Sequence, residues 1–362
     1  MSDLETYSQL LTSDQSLCEQ SLTLSLGEYG LRIRSNSAAL IDKLAGYFSH
    51  VPPCDASQAM VEILAIERQP PELPVNFIDW KREPGKTGRK DSYFDFDAGR
   101  LVRKVRTGMV FLQSQQQLIA CGPCLQYDNQ VINYINSQYM NWLQNHDWLI
   151  CHASGIVRNN QCMAMAGFSG GGKSTLMLHL LEHADINYLT NDRLFIKTIE
   201  QHTQAVGIPK LPRINPGTIV HNPRLHPLIP ADQRERLLAM PTDELWHLEE
   251  KYDAHIDQLY GEGRIQSAAE LHSLLILNWQ RDTDEQTTVT KLDLAQRQEL
   301  LSAVMKSPGP FYQRTDGSFL MDDETISEQP YLEVLQNIAV YEMTGRIDFD
   351  RASQLLKSIM AN

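Results

Sequence analysis

Apolar residues recur at every second position over 22–34, where Leu22, Leu24, Leu26, Leu31 and Ile33 fall in step and Gly27 and Gly30 bracket a turn. A period of two predicts a hairpin with one wet face. The period lengthens at Asn36-Ser37. Either residue can cap a helix running through Phe48, with Leu40, Ile41, Leu44, Tyr47 and Phe48 turned inward. Residues 60–66 read as another strand, and Pro70, Pro71 and Pro74 then break the chain. Two further hairpins are expected, 93–97 with 101–105 about Ala98-Gly99, and 109–112 with 118–121. An amphipathic helix follows over 129–144, carrying Val131, Ile132, Tyr134, Ile135, Tyr139, Trp142 and Leu143.

Beyond it the runs become more continuously apolar. A short strand over 148–153 closes on His152, and a second spans 161–166, with Arg158-Asn159-Asn160 as the hairpin turn between them. Good helix formers fill 176–183. Residues 187–196 read as an apolar strand whose end exposes Asn191 and Asp192. Prolines stiffen a loop over 207–218 that carries Lys210 and Arg213. Residues 231–260 read as helical and acidic, with Leu237, Leu238, Leu245, Trp246, Leu248, Ile256 and Leu259 as the apolar set. A strongly apolar strand is expected over 271–279, a rigid turn over 306–311, and helices near 330–344 and 349–360. Lys306 in that turn either reaches a site or sits on a surface loop.

One stretch breaks every periodic pattern: Gly167-Phe168-Ser169-Gly170-Gly171-Gly172-Lys173-Ser174-Thr175. It fits G-x-x-x-x-G-K-[ST], with a buried strand ahead and a helix behind, the context in which that pattern binds phosphate. Glycines let backbone N–H groups turn inward with no Cβ in the way. The following helix offers free N–H groups and a partial positive charge. Lys173 supplies a cation for the β- and γ-phosphates, and Ser174 a hydroxyl for Mg²⁺. Asp192, at a strand end beside this loop, suits Mg²⁺ or its water shell, or else is half of a turn-forming Asn-Asp pair. Arg213 suits a phosphate by its planar guanidinium, or else belongs to an ordinary proline-fixed connection. His152 has its own plain reading as a strand-end histidine.

Composition narrows the setting. At 362 residues the chain exceeds what one hydrophobic core usually serves, so two domains are expected, 1–146 and 147–362, the first built of α+β elements. No apolar run approaches a membrane span, and the polar start lacks a signal region. Six cysteines scattered through the chain suit reduced thiols in a cytoplasm. A formal charge of −13 argues against nucleic acid as a partner. Locally, 81–106 holds nine cations against four acids (Glu83, Asp91, Asp95 and Asp97), among the cations Lys86, Arg89, Arg100 and Lys104. That stretch either docks an acidic partner or is a solvated loop and hairpin edge. Cys121-Gly122-Pro123-Cys124 has the spacing of a thiol redox pair or half a zinc site, or else marks buried thiols at a strand-to-helix turn.

His152, the glycine loop with Lys173 and Ser174, and Asn191-Asp192-Arg193 together resemble the catalytic half of bacterial HPr kinase/phosphorylase, and most of all the HPr-kinase-related kinases of group B. The close match covers about 150–220. The resemblance implies an α/β fold in which a C-terminal P-loop, mixed-sheet domain similar to phosphoenolpyruvate carboxykinase accompanies the smaller N-terminal domain. It implies ATP and Mg²⁺ as cofactors, a phosphoryl acceptor that is a protein or a metabolite, and self-association. Carried over by motif, Gly167, Ser169, Gly170, Gly171, Gly172, Lys173, Ser174 and Thr175 hold the nucleotide, and Ser174 and Asp192 the metal. His152 sits by the moving phosphoryl, Asp192 serves the acceptor hydroxyl, and Arg213 stabilises charge. Asn191 departs from the family's aspartate pair, and Pro212-Arg213-Ile214-Asn215-Pro216-Gly217, in the region of the family's Glu-Ile-Arg-Gly segment, keeps an arginine but not the glutamate. The leading expectation is an ATP-dependent phosphotransferase. The others are a nucleotide-dependent switch with little turnover, and a thiol oxidoreductase at Cys121 and Cys124.

Overall fold

A computed structural model describes residues 2–82, 87–168, 171–248 and 250–360. Glu83 and Lys86 of the basic stretch, Ser169 and Gly170 of the glycine loop, and the side chain of Trp246 lie outside the described residues. Two units emerge: Met1–Asp147 with Ser307–Thr325, and Trp148–Lys306 with Ile326–Asn362. Among the described residues no helix is long and apolar enough to cross a membrane.

The first unit opens with α1 (Asp3–Thr12), an element the polar composition of 1–20 did not reveal. A capping box starts it: Ser2 Oγ accepts the Glu5 N–H at 3.3 Å and the Glu5 carboxylate accepts the Ser2 N–H at 2.8 Å. The hairpin β1 (Ser21–Leu26) and β2 (Tyr29–Ser35) follows, then α2 (Ala38–Tyr47) behind its Ser37 cap, then β3 (Val61–Glu67) and β4 (Ile78–Asp79). A run of hairpin strands comes next: β5 (Asp91–Phe96), β6 (Gly99–Lys104), β7 (Val110–Gln113) and β8 (Leu118–Gly122), with α3 (Asp128–Gln144) closing the series. They form one sheet in the order β1-β2-β3-β8-β7-β6-β5-β4, parallel only where β3 meets β2 and β8. Leu4 and Leu11 of α1 pack on Ile66, Leu101, Val110, Leu112 and Ile119. α3 is fixed to the sheet by the Tyr134 hydroxyl, which donates to the Leu112 carbonyl at 2.6 Å.

Two alternatives that the sequence leaves open are narrowed in this unit, and the cysteines follow the buried-thiol reading. Cys121 and Cys124 are fully buried and donate their thiols to the carbonyls of Leu11 (3.3 Å) and Ile66 (3.4 Å). Burial pushes the Cys121 thiol up to about 12 and Cys124 higher still, so neither supplies the thiolate that redox or zinc chemistry needs. The cations of 81–106 are in part committed inside the unit: Arg89 to Asp79 and Lys104 to Asp91, each at 2.7 Å, and Arg100 to Asp95. Arg100 is fully buried and forks onto Asp95 at 2.5 and 2.9 Å. It also donates to the carbonyls of Pro310 (3.2 Å) and Leu320 (3.1 Å), with the rings of Tyr93 and Phe319 at 4.6 and 4.5 Å. Asn141 of α3 donates to the Phe311 carbonyl at 2.7 Å. These contacts make Ser307–Thr325 part of the first unit, although it reads along the chain as a turn in the second half.

The second unit begins with β9 (Leu149–Cys151), β10 (Ala153–Arg158) and β11 (Gln161–Gly167), then α4 (Lys173–Leu180), β12 (Asn187–Thr190), β13 (Leu194–Ile199), β14 (His202–Gly207) and β15 (Arg213–Ile214). The expected strand over 187–196 is therefore two strands, and Asn191-Asp192-Arg193 is the turn between them. The expected helix over 231–260 is broken. After α5 (Pro216–Val220) come α6 (Ala231–Leu238), α7 (Thr242–His247), β16 (Tyr252–Asp253) and α8 (Ile256–Tyr260), with Pro230 and Pro241 each starting a helix. β17 (Ala268–Leu277) and β18 (Thr288–Leu292) precede α9 (Gln329–Leu335). The helix expected near 330–344 stops there, because β19 (Ala339–Thr344) is captured between β17 and β18. The last helix, α10 (Phe349–Met360), follows the expected bounds closely.

Nine strands form a mixed sheet, β12-β10-β11-β17-β14-β13-β9, with β19 on β17 and β18 beyond it. β11 is apolar at nearly every position because both its faces are covered. Met163 and Met165 meet α4, α5 and α10 through Leu176, Leu180, Ile219 and Leu356. Cys162, Ala164 and Ala166 meet Leu300, Leu301, Tyr331 and Leu335 on the other side. Arg264 donates to the carbonyls of Leu181 (2.8 Å) and His183 (2.9 Å), satisfying the end of α4.

Candidate functional site

β11, β17 and β19 run parallel, with Gly167 opposite Leu277 and Leu277 opposite Met343, so their carboxyl ends share one edge. Ligands of α/β sheets collect at that edge. The glycine loop leaves β11 there and enters α4 at Lys173, with Gly172 as N-cap in the left-handed region (φ 80°). β10 runs antiparallel to β11, Ala153 opposite Ala166, which brings His152 to the same edge. β12 runs antiparallel to β10, Thr190 opposite Gly155, so the 191–193 turn arrives there too. Three segments distant in sequence thus meet by topology alone.

His152 Nε2 lies 3.1 Å from Asp192 Oδ1, with 26% of the histidine and 40% of the aspartate side chain exposed, so an incoming group can reach both. A carboxylate only accepts, so the neutral ring carries its proton on Nε2. Arg193 donates to Asp192 Oδ2, and its carbonyl accepts from the Thr190 hydroxyl at 2.8 Å, closing the turn. Burial alone would raise the Asp192 carboxyl, but Arg193, His152 and Lys210 override it and hold it well below the usual carboxylate range. The hydrogen bond to Asp192 pulls the His152 ring upward, yet burial and the Lys173 charge outweigh it and leave the ring below its ordinary value. Lys173 donates to the Gly167 carbonyl across the loop at 2.8 Å. Burial pushes its ammonium down to about 8, Asp192 working against that and Lys306 and Arg193 with it.

Two cations join this cluster that the glycine motif does not contain. Lys210 is brought in by a close approach: a Cβ on Gly207 would stand 2.2 Å from the Leu189 carbonyl, so only glycine lets the loop pass β12. The Tyr188 hydroxyl then holds the Lys210 carbonyl at 2.7 Å. Burial pushes Lys210 down to about 8 while Asp192 pulls it up. Pro209 and Pro212 around Lys210 were the available signal for a pre-set cation. Lys306 follows Met305, which bridges Cys151, and Val304 accepts the His152 N–H at 2.7 Å. Arg213 instead pairs with Asp253 at 3.2 Å across β15 and β16. Thr175, on α4, shares a hydrogen bond with Thr218 at 2.8 Å.

Magnesium demands oxygen ligands and keeps much of its water. The half-buried Ser174 hydroxyl on the first turn of α4 fits that need. Asp192 fits as a direct ligand less well, since each of its oxygens is already engaged, Oδ1 by the His152 N–H and Oδ2 by the Arg193 guanidinium. Among the described residues no group of three or more His, Cys, Asp or Glu side chains is gathered that could hold a metal.

The chain matches no family model and no curated protein. Among solved structures it is similar to the HPr(Ser) kinase/phosphatase from Coxiella burnetii, at 11% identity over 59% of this chain and 90% of that one, with a TM-score of 0.30. That is a distant likeness of fold.

Proposed function

We propose that this chain is an ATP-dependent phosphotransferase that moves the γ-phosphoryl group of ATP to a hydroxyl of a protein or small-molecule acceptor. One observation carries the reading: the Lys173 ammonium and the His152–Asp192 pair, 3.1 Å apart, meet at the carboxyl end of the strand that feeds the glycine loop. The motif resemblance to HPr-kinase-related kinases supports the same reading.

Lys173 exchanges the Gly167 carbonyl for phosphate oxygens. Ser174 would hold magnesium, which would supply positive charge to the phosphates when bound. The acceptor oxygen attacks the γ-phosphorus, its proton passes to Asp192, and the bond to the β–γ bridging oxygen breaks as ADP leaves. His152, donating from Nε2, fixes the orientation of Asp192. Lys210 and Arg193 keep that carboxyl anionic and, with Lys306, surround the moving phosphoryl with positive charge. Arg213, paired with Asp253, lies near enough for its charge to weigh on the Lys210 ammonium.

Incubating the protein with γ-³²P-ATP and a native cell lysate should label an acceptor. Asp192→Asn should lower that transfer by about 10²–10⁴-fold while ATP binding persists, the usual weight of a placed base. Transfer unchanged in Asp192→Asn would refute the role given to it. A nucleotide-dependent switch is the second reading, favoured because the His152 N–H and the Arg193 guanidinium already engage both Asp192 oxygens and its basicity is correspondingly low. ATP binding by calorimetry with no transfer or hydrolysis would select it.

A further inference from the structure

Two aromatic side chains outside the glycine motif grip its second half. Trp279 lies just beyond β17, and its indole N–H donates to the Gly171 carbonyl at 2.7 Å. Phe349, the first residue of α10, meets the Trp279 ring edge-on, with centroids 5.3 Å apart and planes at 89°. Both rings close on Gly172, where a Cβ would stand 3.1 Å from Phe349 and 3.5 Å from Trp279. α10 is itself tied to α4 by His179 with Asp350 at 3.1 Å, and to the turn after α4 by His183 with Ser353 at 3.3 Å. The Asn278 and Gln280 N–H groups on either side of Trp279 donate to Met343 and Gly345 at 2.9 and 2.8 Å. The main chain that carries the indole is therefore fixed on both sides of Trp279.

A trans peptide keeps its C=O and N–H on opposite sides. With the Gly171 carbonyl turned onto Trp279, the Gly172 N–H points away from the indole. A glycine peptide left to itself samples many orientations, and each must be given up when phosphate binds. Fixing one beforehand removes that cost from binding. Gly171 also donates its own N–H to the Phe168 carbonyl at 3.0 Å, so this part of the loop is shaped by two bonds before any ligand arrives.

We propose that Trp279, buttressed by Phe349, is a positioning residue that orients the Gly171–Gly172 peptide so that its N–H serves a nucleoside triphosphate's polyphosphate. This rests on the nucleotide reading of the loop. Because the indole touches the loop directly, its emission reports occupancy.

Trp279→Phe keeps a ring against Phe349 and removes the donor. Calorimetry with Mg-ATP should show binding weaker by about five- to tenfold, the weight of one hydrogen bond. Wild-type tryptophan emission should change on adding ATP, and that change should vanish in Trp279→Phe although four of the five tryptophans remain. Phe349→Leu, which keeps the indole donor but loosens its seat, should weaken binding about two- to threefold with the emission change retained. Trp279→Phe binding within twofold of wild type, with ATP bound normally by the wild type, overturns the positioning role alone. So does calorimetric binding with no emission change in the wild type. Should Trp279→Phe lose its far-ultraviolet dichroism, Phe349→Leu decides, and unaltered affinity there overturns the proposal. Absence of ATP binding by the wild type brings down the nucleotide reading and this inference together.

Discussion

Lys173 can hold phosphate only while protonated, and in the free protein its ammonium loses that proton near pH 8, as does that of Lys210. Anion binding favours the protonated forms, so affinity falls as pH rises through that value, by up to about tenfold per unit for each group. Calorimetric titration with ATP at pH 7 and pH 9 should therefore show clearly weaker binding at the higher pH, and Lys173→Met should flatten the difference. Affinity that climbs with pH would contradict the assignment. Lys173 and Asp192 stood out because a spaced motif and a strand end point at them, whereas His152 read from the residues as a plain strand-end histidine and was singled out only by the motif resemblance. Lys210 was not legible, since only the passage of Gly207 over Leu189 delivers it to Asp192. Lys306 was visible only as an open alternative, and its place depends on the bridge between Met305 and Cys151.

Among elements, period and punctuation carried most of the reading. Gly27, Ser37 and Asn159-Asn160 act as turn or cap as expected: Gly27 has φ 64°, Ser37 accepts from Leu40 at 3.3 Å, and the two asparagines have φ 51° and 64°. Failures came where tertiary pairing overrode local preference. β19 would pass for the end of a helix were the flanks of β17 and β18 not waiting for it. The acidic stretch after Pro230 lacks the continuous burial that sustains one long helix, and Pro241 divides it. The entry to α4 can be tested at this scale. Gly172→Ala should cost about 1–2 kcal/mol for the left-handed backbone alone, and more for the two rings it meets. A thermal midpoint and ATP affinity both equal to wild type would show that the loop is not held as described.

For the molecule, the chain path matters more than any boundary. It leaves the first unit at Asp147, returns at Ser307 and leaves again after Thr325. Two prolines and a glycine over 306–311 mark a turn, but nothing in their spacing says which core receives Phe311. A fragment of 148–362 should therefore carry Phe311, Phe319 and Leu320 without their pocket and aggregate. The same fragment with 307–325 replaced by a short Gly/Ser linker should stay in solution on gel filtration; equal behaviour of the two would count against the assignment of that segment. Arg100→Ala should destabilise the protein by roughly 3 kcal/mol in urea unfolding, because Asp95 loses its partner and two carbonyls lose their donor.

That guanidinium also has a timetable. Its acceptor at Pro310 stands 210 residues further along the chain. A ribosome adds about 5–20 residues per second, so the nascent hairpins wait roughly 10–40 s before the segment that seals them is made. During that interval Trp80 and Tyr93, whose rings lie 5.5 and 4.6 Å from the guanidinium, flank a charge whose side-chain acceptor among the described residues of 1–147 is Asp95, so the hairpins stay unsealed until 307–325 is made.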